Sequence, residues 1–173
     1  MIKYALSNNA KILFVGINPH FGSYARGIPF SNNKMFWYLL GSAGIIKEKR
    51  EDLKNDKTLK RIYSKKFIRV YRLNFTNIIT RPSRSVSQLH KGEEMSGRVR
   101  ILKIIKRYKP KVVCFVGRIT YQKFTGNSNF AFGWQDDIYR SKSYVMHFPL
   151  RGRAKIRIDE LKEVNKVAGH VGK

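Results

Sequence analysis

Two short runs, Ile12-Leu13-Phe14-Val15 and Val112-Val113-Cys114-Phe115-Val116, are apolar at every position and stop on a glycine, Gly16 and Gly117. A strand with one face in water alternates apolar and polar residues. A continuous apolar run bounded by glycine reads instead as a strand covered on both faces, which in practice means a parallel sheet between helices. The rest of the chain supplies those helices. From about Asn33, Phe36, Leu39, Leu40 and Ala43 share one helical face, with Gly41 and Gly44 as terminators. The stretch Gly92–Tyr108 reads as a long helix whose apolar stripe is Met95, Val99, Leu102, Ile105 and Tyr108, closed by Pro110. Ile119–Phe124 follows as a short helix, and Ile158–Ala168 as a last amphipathic one with Asp159 and Glu160 in its first turn. Phe67–Thr76 and Tyr144–Phe148 supply two more strands. The segment from Ile17 to Pro29 reads as loop, and residues 47–66 as a charged helical insertion, solvated, with Leu59, Ile62 and Tyr63 at helical spacing. Strand and helix therefore alternate through one domain spanning residues 1–173. The expected fold is α/β, a three-layer α/β/α sandwich around a central, mainly parallel four-stranded sheet.

Charge narrows the partner. The chain carries 36 Lys and Arg against 11 Asp and Glu, a formal net charge of +25. Such a surplus repels itself in the folded state, and a polyanion is what normally offsets it. Nucleic acid is the expected partner, with a merely solvated lysine-rich surface as the bland alternative. A membrane is not expected, because the apolar runs fall far short of the ~20 residues that span a bilayer and no long basic amphipathic helix carries an aromatic face. Ser7-Asn8-Asn9 interrupts the N-terminus before any signal-peptide core forms. The lone Cys114 lies in a buried run, where an inert thiol in a reducing compartment is expected. The expected location is the cytoplasm, in association with the nucleoid, or the nucleus, and not outside the cell.

In parallel sheets the ligand sits beyond the carboxyl ends of the strands. The residues expected there are Asn18-Pro19-His20, Thr76-Asn77, Arg118 and His147–Arg153, a polar and basic set with no carboxylate. Two-metal phosphodiester chemistry needs clustered carboxylates, and sugar hydrolysis by paired carboxyls needs two, so neither is expected. His20, His90, His147 and His170 show no metal-ligand spacing, and no glycine-rich phosphate loop appears. Amides, hydroxyls, aromatics and cations remain. They suit reactions driven by binding, base extrusion and electrostatics. Taken alone, Gly16-Ile17-Asn18-Pro19 is as well explained by a plain Asx-turn after a strand.

Its company says more. Gly16-Ile17-Asn18-Pro19, then Gly27-Ile28-Pro29-Phe30, then Phe36-Trp37, resembles the first active-site motif of the mismatch-specific uracil-DNA glycosylase and thymine-DNA glycosylase family. Phe75-Thr76-Asn77 followed by Arg81-Pro82 is similar to the next block of that family. Gly97-Arg98 through Tyr108-Lys109-Pro110, ending in Val116-Gly117-Arg118 and Tyr121, resembles the helix and strand after it. The likeness covers roughly residues 11–45 and 73–125, and more loosely 143–165. It implies that Asn18 positions the hydrolytic water, with Thr76 helping to hold it. It implies that Phe30 stacks on a flipped base, that Ile17 and His20 border that base, and that Ser23 lies near the pyrimidine C5 edge. The implied reaction is hydrolysis of the N-glycosidic bond of uracil or thymine mispaired with guanine in double-stranded DNA. It needs no metal or cofactor, and it leaves an abasic site.

The sequence departs from that pattern twice. Where the family has glycine after Asn-Pro, this chain has His20. Its second motif reads His147-Phe148-Pro149-Leu150-Arg151-Gly152-Arg153-Ala154, in which only the proline and a nearby arginine match, and Phe148 replaces an asparagine that could contact the base. Leu150, Arg151, Gly152 and Arg153 are candidates to fill the gap left by an extruded base. The plainer alternative is that the arginines only contact phosphate. No lysine is placed by motif for a Schiff base, so strand cleavage is not expected, and the protein is expected to act as a monomer. The rival readings are a related glycosylase for another damaged base and a catalytically silent nucleic-acid-binding domain of the same fold.

Overall fold

A computed structural model describes residues 1–170, and one five-stranded sheet organises them. In chain order the strands are β1 (Ile12–Gly16), β2 (Leu73–Asn77), β3 (Val112–Val116), β4 (Gly133–Ile138) and β5 (Ser141–Met146). Across the sheet they run β2-β1-β3-β5-β4. The first four in that order are mutually parallel, and β4 pairs antiparallel with β5 at the edge. Seven α-helices accompany them: α1 (Phe21–Arg26), α2 (Met35–Ser42), α3 (Arg50–Leu53), α4 (Asp56–Arg61), α5 (Glu94–Tyr108), α6 (Arg118–Thr125) and α7 (Ala154–His170).

The all-apolar runs lie where a doubly covered sheet needs them. Every residue of β1, β2 and β3 is buried. Register sets Phe14 between Phe75 and Cys114, and these side chains face α2 and α7 together with Phe36, Trp37 and Leu161. Leu13, Val15, Val113 and Phe115 face the opposite way, against Ile101, Ile104 and Ile105 of α5 and the aromatic rings of α6. The structure is a three-layer α/β/α sandwich. Burial pushes the Cys114 thiol well above its usual range, as befits a packed, unreactive group.

Several details differ from the sequence reading, each for a physical reason. The sheet has five strands rather than four. β4 is a half-exposed edge strand carrying Asp136 and Asp137, and its composition looks like loop. Its own antiparallel pairing with β5, not apolar burial, makes it a strand. Helix α5 turns a different face inward. Gly97, Ile101, Ile104 and Ile105 are buried, while Met95, Val99 and Leu102 are exposed. Gly97 decides this, because a Cβ there would lie 2.0 Å from the carbonyl oxygen of Ile78. The helix touches backbone at its glycine, a residue that contributes nothing to an apolar count.

The charged stretch 47–66 is not merely solvated. Helices α3 and α4 and a π-helical turn, Ile62–Lys66, send Leu53, Leu59, Ile62 and Tyr63 into the core beside Trp37. That turn and the bend after it also shorten the expected strand from Phe67 to Leu73–Asn77, with Arg72 in the left-handed region at φ +54°. Residues 21–26 form helix α1 instead of loop, capped at its start by His20 and stopped by the left-handed Gly27. Helix α7 begins at Ala154, ahead of the expected Ile158.

Gly97→Ala tests the packing of α5. In an exposed helix interior this change is stabilising, by about 1 kcal/mol. Here the methyl meets backbone, and the expected outcome is destabilisation by about 1–3 kcal/mol, the range for overpacked cores, read from urea unfolding.

Candidate active site

Four parallel strands deliver four loops to one edge of the sheet. Ile17–His20 leaves β1, Ile78–Ser83 leaves β2, Gly117 ends β3, and His147–Arg153 leaves β5. The crevice formed there is where open α/β sheets hold ligands.

Asn18 is half-buried, and its side-chain orientation is set. Its Nδ2 donates to Ser83 Oγ at 2.7 Å and lies 3.3 Å from the carbonyl oxygens of Pro19 and Arg81. The buried Ser83 hydroxyl donates onward to the Ser85 carbonyl at 2.8 Å, and the Ser83 amide donates to the Pro19 carbonyl. The two loops are thereby laced together. With Nδ2 committed, Oδ1 is the atom that Asn18 offers to a water. Arg81 is held in turn by Glu93, which takes its guanidinium at 2.7 and 2.9 Å and also accepts the His90 amide. These bonds hold the Glu93 carboxyl down at about 2.

Phe30 stands over the end of β1. A Cβ on Gly16 would come within 3.3 Å of its ring, so the glycine leaves room for the aromatic to lie close to backbone. The ring packs on Phe36 (centroids 4.3 Å apart) and edge-on to Phe75 (5.5 Å). Phe30 itself has φ +52°, a left-handed conformation that costs a non-glycine residue of order 1–3 kcal/mol and persists only where its surroundings impose it. They do so on both sides. The Trp37 indole donates to the Pro29 carbonyl at 2.7 Å, and the buried Ser23 hydroxyl accepts the amides of Ser31 and Asn32 at 3.0 and 2.9 Å. Ser23 is therefore a brace for the Phe30 turn. His20 caps α1, its Nδ1 accepting from the Gly22 amide at 3.1 Å, which turns the ring toward that helix. Ile17 is half-buried between Gly16 and Asn18, and its carbonyl accepts from the Ile79 amide.

On β2 the strand alternation separates Thr76 from Asn77. Thr76 faces α5, where its hydroxyl accepts from Arg100 Nη1 at 3.0 Å. Asn77 lies on the Phe30 side, with Oδ1 only 2.5 Å from where a Gly16 Cβ would be. The structure thus brings Asn18, Phe30 and Asn77 together around Gly16, with Thr76 behind them. Asn77 was absent from the site drawn from sequence, although its period of two from Phe75 was a signal for the face it occupies.

A carboxylate does reach the strand ends, against expectation. Glu160 of α7 is buried and engages His147 twice, its Oε1 at 2.6 Å from Nδ1 and its Oε2 accepting the backbone amide at 3.0 Å. The His147 ring also stacks on Phe132 at 3.6 Å. Arg118 pins the neighbouring loop by donating to the carbonyls of Ser128 and Phe130. Beyond His147 the backbone is held by the buried Arg157, which donates to the carbonyls of Phe148 (2.6 Å) and Arg153 (2.8 Å). Between those anchors Leu150, Arg151, Gly152 and Arg153 are exposed, and Gly152 turns the chain at φ +80°. Among the described residues no three of His, Cys, Asp or Glu converge to hold a metal ion.

Fold and site together define a mostly parallel α/β protein with an amide- and aromatic-lined crevice at its strand ends, set in a strongly cationic surface. Comparison with known proteins agrees. The family model described as the uracil DNA glycosylase superfamily matches residues 4–166. A protein of Schizosaccharomyces pombe named G/U mismatch-specific uracil DNA glycosylase is 30% identical over 168 residues, covering 91% of this chain and 49% of the relative. The chain thus spans about half the length of that relative, and it belongs to the uracil DNA glycosylase superfamily.

The Arg81–Glu93 pair underpins the loop that orients Asn18, and its pH response has a definite sign. The folded Glu93 value of about 2 lies below its ordinary 4.5, so the pair stabilises above pH 4.5 and the contribution fades as the pH falls toward 2. Glu93→Gln is expected to lower the melting temperature at neutral pH by a few degrees at most, because Arg81 is 41% exposed and screened. The melting curves of variant and parent should converge as the pH approaches 2.

Proposed function

We propose that this protein is a monofunctional DNA glycosylase. It removes uracil mispaired with guanine, accepts thymine as a second substrate, and leaves an abasic site. The observation that carries the reading is the pairing of an oriented amide with a strained aromatic at the end of β1: Asn18 fixed by Ser83, and Phe30 held over Gly16.

Breaking an N-glycosidic bond builds positive charge on the sugar and negative charge on the departing base. A strong base is unnecessary when a water is already placed and the base is held by dipoles. Phe30 takes one face of the extruded ring, Asn77 offers its amide beside it, and Asn18 Oδ1 orients the water toward the sugar. Ile17 and His20 border the opening, and Ser23 and Thr76 act through the backbone they brace. Double-stranded DNA is the substrate, met by a monomer wherever the genome lies, in nucleoid or nucleus. The net charge of +25 draws the phosphate backbone in and favours the anionic leaving base. Uracil outranks thymine because it brings no methyl to the pocket. A silent binding module would need neither the oriented amide nor the strained ring.

The direct test is a labelled duplex with one central G·U pair, incubated with protein and then treated with alkali. Strand breaks should appear only after alkali. Asn18→Ala is expected to lower the single-turnover rate by about 10²–10³ with duplex affinity nearly unchanged. Ser83→Ala, which only frees the amide, should cost about tenfold and spare binding. An Asn18→Ala protein as fast as the parent overturns the assignment.

The exposed loop after β5 gives a separate expectation. Leu150→Ala should leave affinity for undamaged duplex intact and slow excision from duplex more than from single strands. Arg153→Ala should weaken binding to all duplexes alike and reduce the slope of log K against log salt by ~1. If Leu150→Ala behaves as a phosphate variant does, another segment fills the gap.

A further inference from the structure

We infer that Phe148 forms a second aromatic wall facing Phe30, so that the base slot admits flat rings and rejects puckered ones. The inference rests on the glycosylase reading above and adds a specificity-determining residue to it. Phe148 is 41% exposed, yet it is not loosely placed. Its carbonyl is anchored by buried Arg157, and the following Pro149 keeps it extended. Alternation along the strand, which puts Met146 in the core on the α2 and α7 side, sends Phe148 to that same side, where Phe30 stands.

The two rings are rooted in the same way. A Cβ on Gly117 would lie 3.3 Å from the Phe148 ring and 3.4 Å from its Cβ, as a Cβ on Gly16 would lie 3.3 Å from the Phe30 ring. Gly117 has φ +97°, so a side chain is excluded there by backbone as well as by space. Gly16 and Gly117 close neighbouring strands, in a register that pairs Val15 with Phe115. The roots therefore stand about one strand spacing apart, ~5 Å. A flat ring held between two walls needs ~7 Å, two van der Waals contacts of ~3.5 Å. Rings on adjacent strands reach that separation by leaning slightly apart. Core packing does not account for a large aromatic left half in solvent on a glycine at the mouth of a crevice.

A slot with two walls limits thickness, whereas a slot with one does not. Uracil and 5,6-dihydrouracil present the same hydrogen-bonding edge, but saturation of C5–C6 puckers the second ring and removes its π-face. Comparing them isolates the wall.

The experiment measures single-turnover release of both bases opposite guanine, and in parallel the fluorescence of 2-aminopurine placed beside each, which reports extrusion without cleavage. The parent, Phe148→Ala, Phe148→Leu and Phe148→Trp are compared, with thermal melting as a control for folding. Differences in the lability of the two glycosidic bonds cancel when each variant's uracil-to-dihydrouracil ratio is divided by the parent's. Phe148→Ala and Phe148→Leu are expected to lose about tenfold or more on uracil, the scale of one stacking contact, and far less on dihydrouracil. Phe148→Trp should keep the parent ratio. An unchanged ratio in Phe148→Ala, or a Leu variant that discriminates as the parent does, overturns the wall. Should the parent release no uracil, the glycosylase reading fails. The wall is then judged by fluorescence: a rise beside uracil that Phe148→Ala abolishes supports it, and no difference between the two overturns it.

Discussion

Burial of β1 and β3 on both faces is the constraint from which the rest follows. Ile12, Leu13, Phe14 and Val15 are fully buried, as are Val112, Val113 and Phe115, and each such side chain is worth ~1.5–3 kcal/mol. No arrangement with one wet face could bury them all. Helices must lie on both sides, the strands that flank the pair must be parallel to it, and every loop leaving a parallel strand emerges on the same edge. The crevice is therefore a consequence of hydrophobic burial before any polar residue is considered. Gly16, Asn77, Gly117 and His147 converge because they end or follow strands that had to point one way.

Within that frame the site is made rigid by hydrogen bonds that are themselves half-buried. Asn18, Ser83 and Ser85 form a chain from one loop into the next, and the Arg81–Glu93 pair holds the second loop from outside. The Phe30 turn is fixed by Ser23 and Trp37, and its left-handed backbone shows that the ring's position matters more than local comfort. Neither device touches the strand core. The bulk of folding energy and the precision of the site thus come from different interactions, and a substitution can damage one while sparing the other.

The parts of the structure legible in sequence are those with a local signature. The apolar runs ending in glycine announced β1 and β3, and motif order marked Asn18 and Phe30. What escaped was non-local. Strand β4 is made by its partner rather than by its own residues. The inward face of α5 is chosen by Gly97 meeting the Ile78 carbonyl, a contact that no periodicity reports. The core residues of 47–66 hide among charges because α3 and α4 are too short for their apolar positions to form a visible stripe. Glu160 reaches the strand ends from a helix far along the chain, and only the fold sets it against His147. Asn77 is the instructive case: it was read as a strand-end residue, but its direction depends on which face Phe75 occupies.

The disposition of Glu160 also bears on the chemistry. A free carboxylate near the crevice would oppose both the phosphate backbone and the anion that a departing base becomes. Glu160 is spent on the His147 ring and backbone amide, at the end of β5, with β3 between it and the strand that carries Asn18 and Phe30. Around β1 the groups that remain are amides, an aromatic ring and backbone dipoles, inside a field set by the +25 surplus. Such an environment disfavours general-base catalysis by a carboxylate and favours a leaving anion. A reaction whose barrier lies in heterolysis, with water added late, is the one that this distribution of charge lowers most. The scarcity of acids and the excess of cations are thus two sides of a single electrostatic arrangement, one that draws the polyanion in and then stabilises the smaller anion that leaves it.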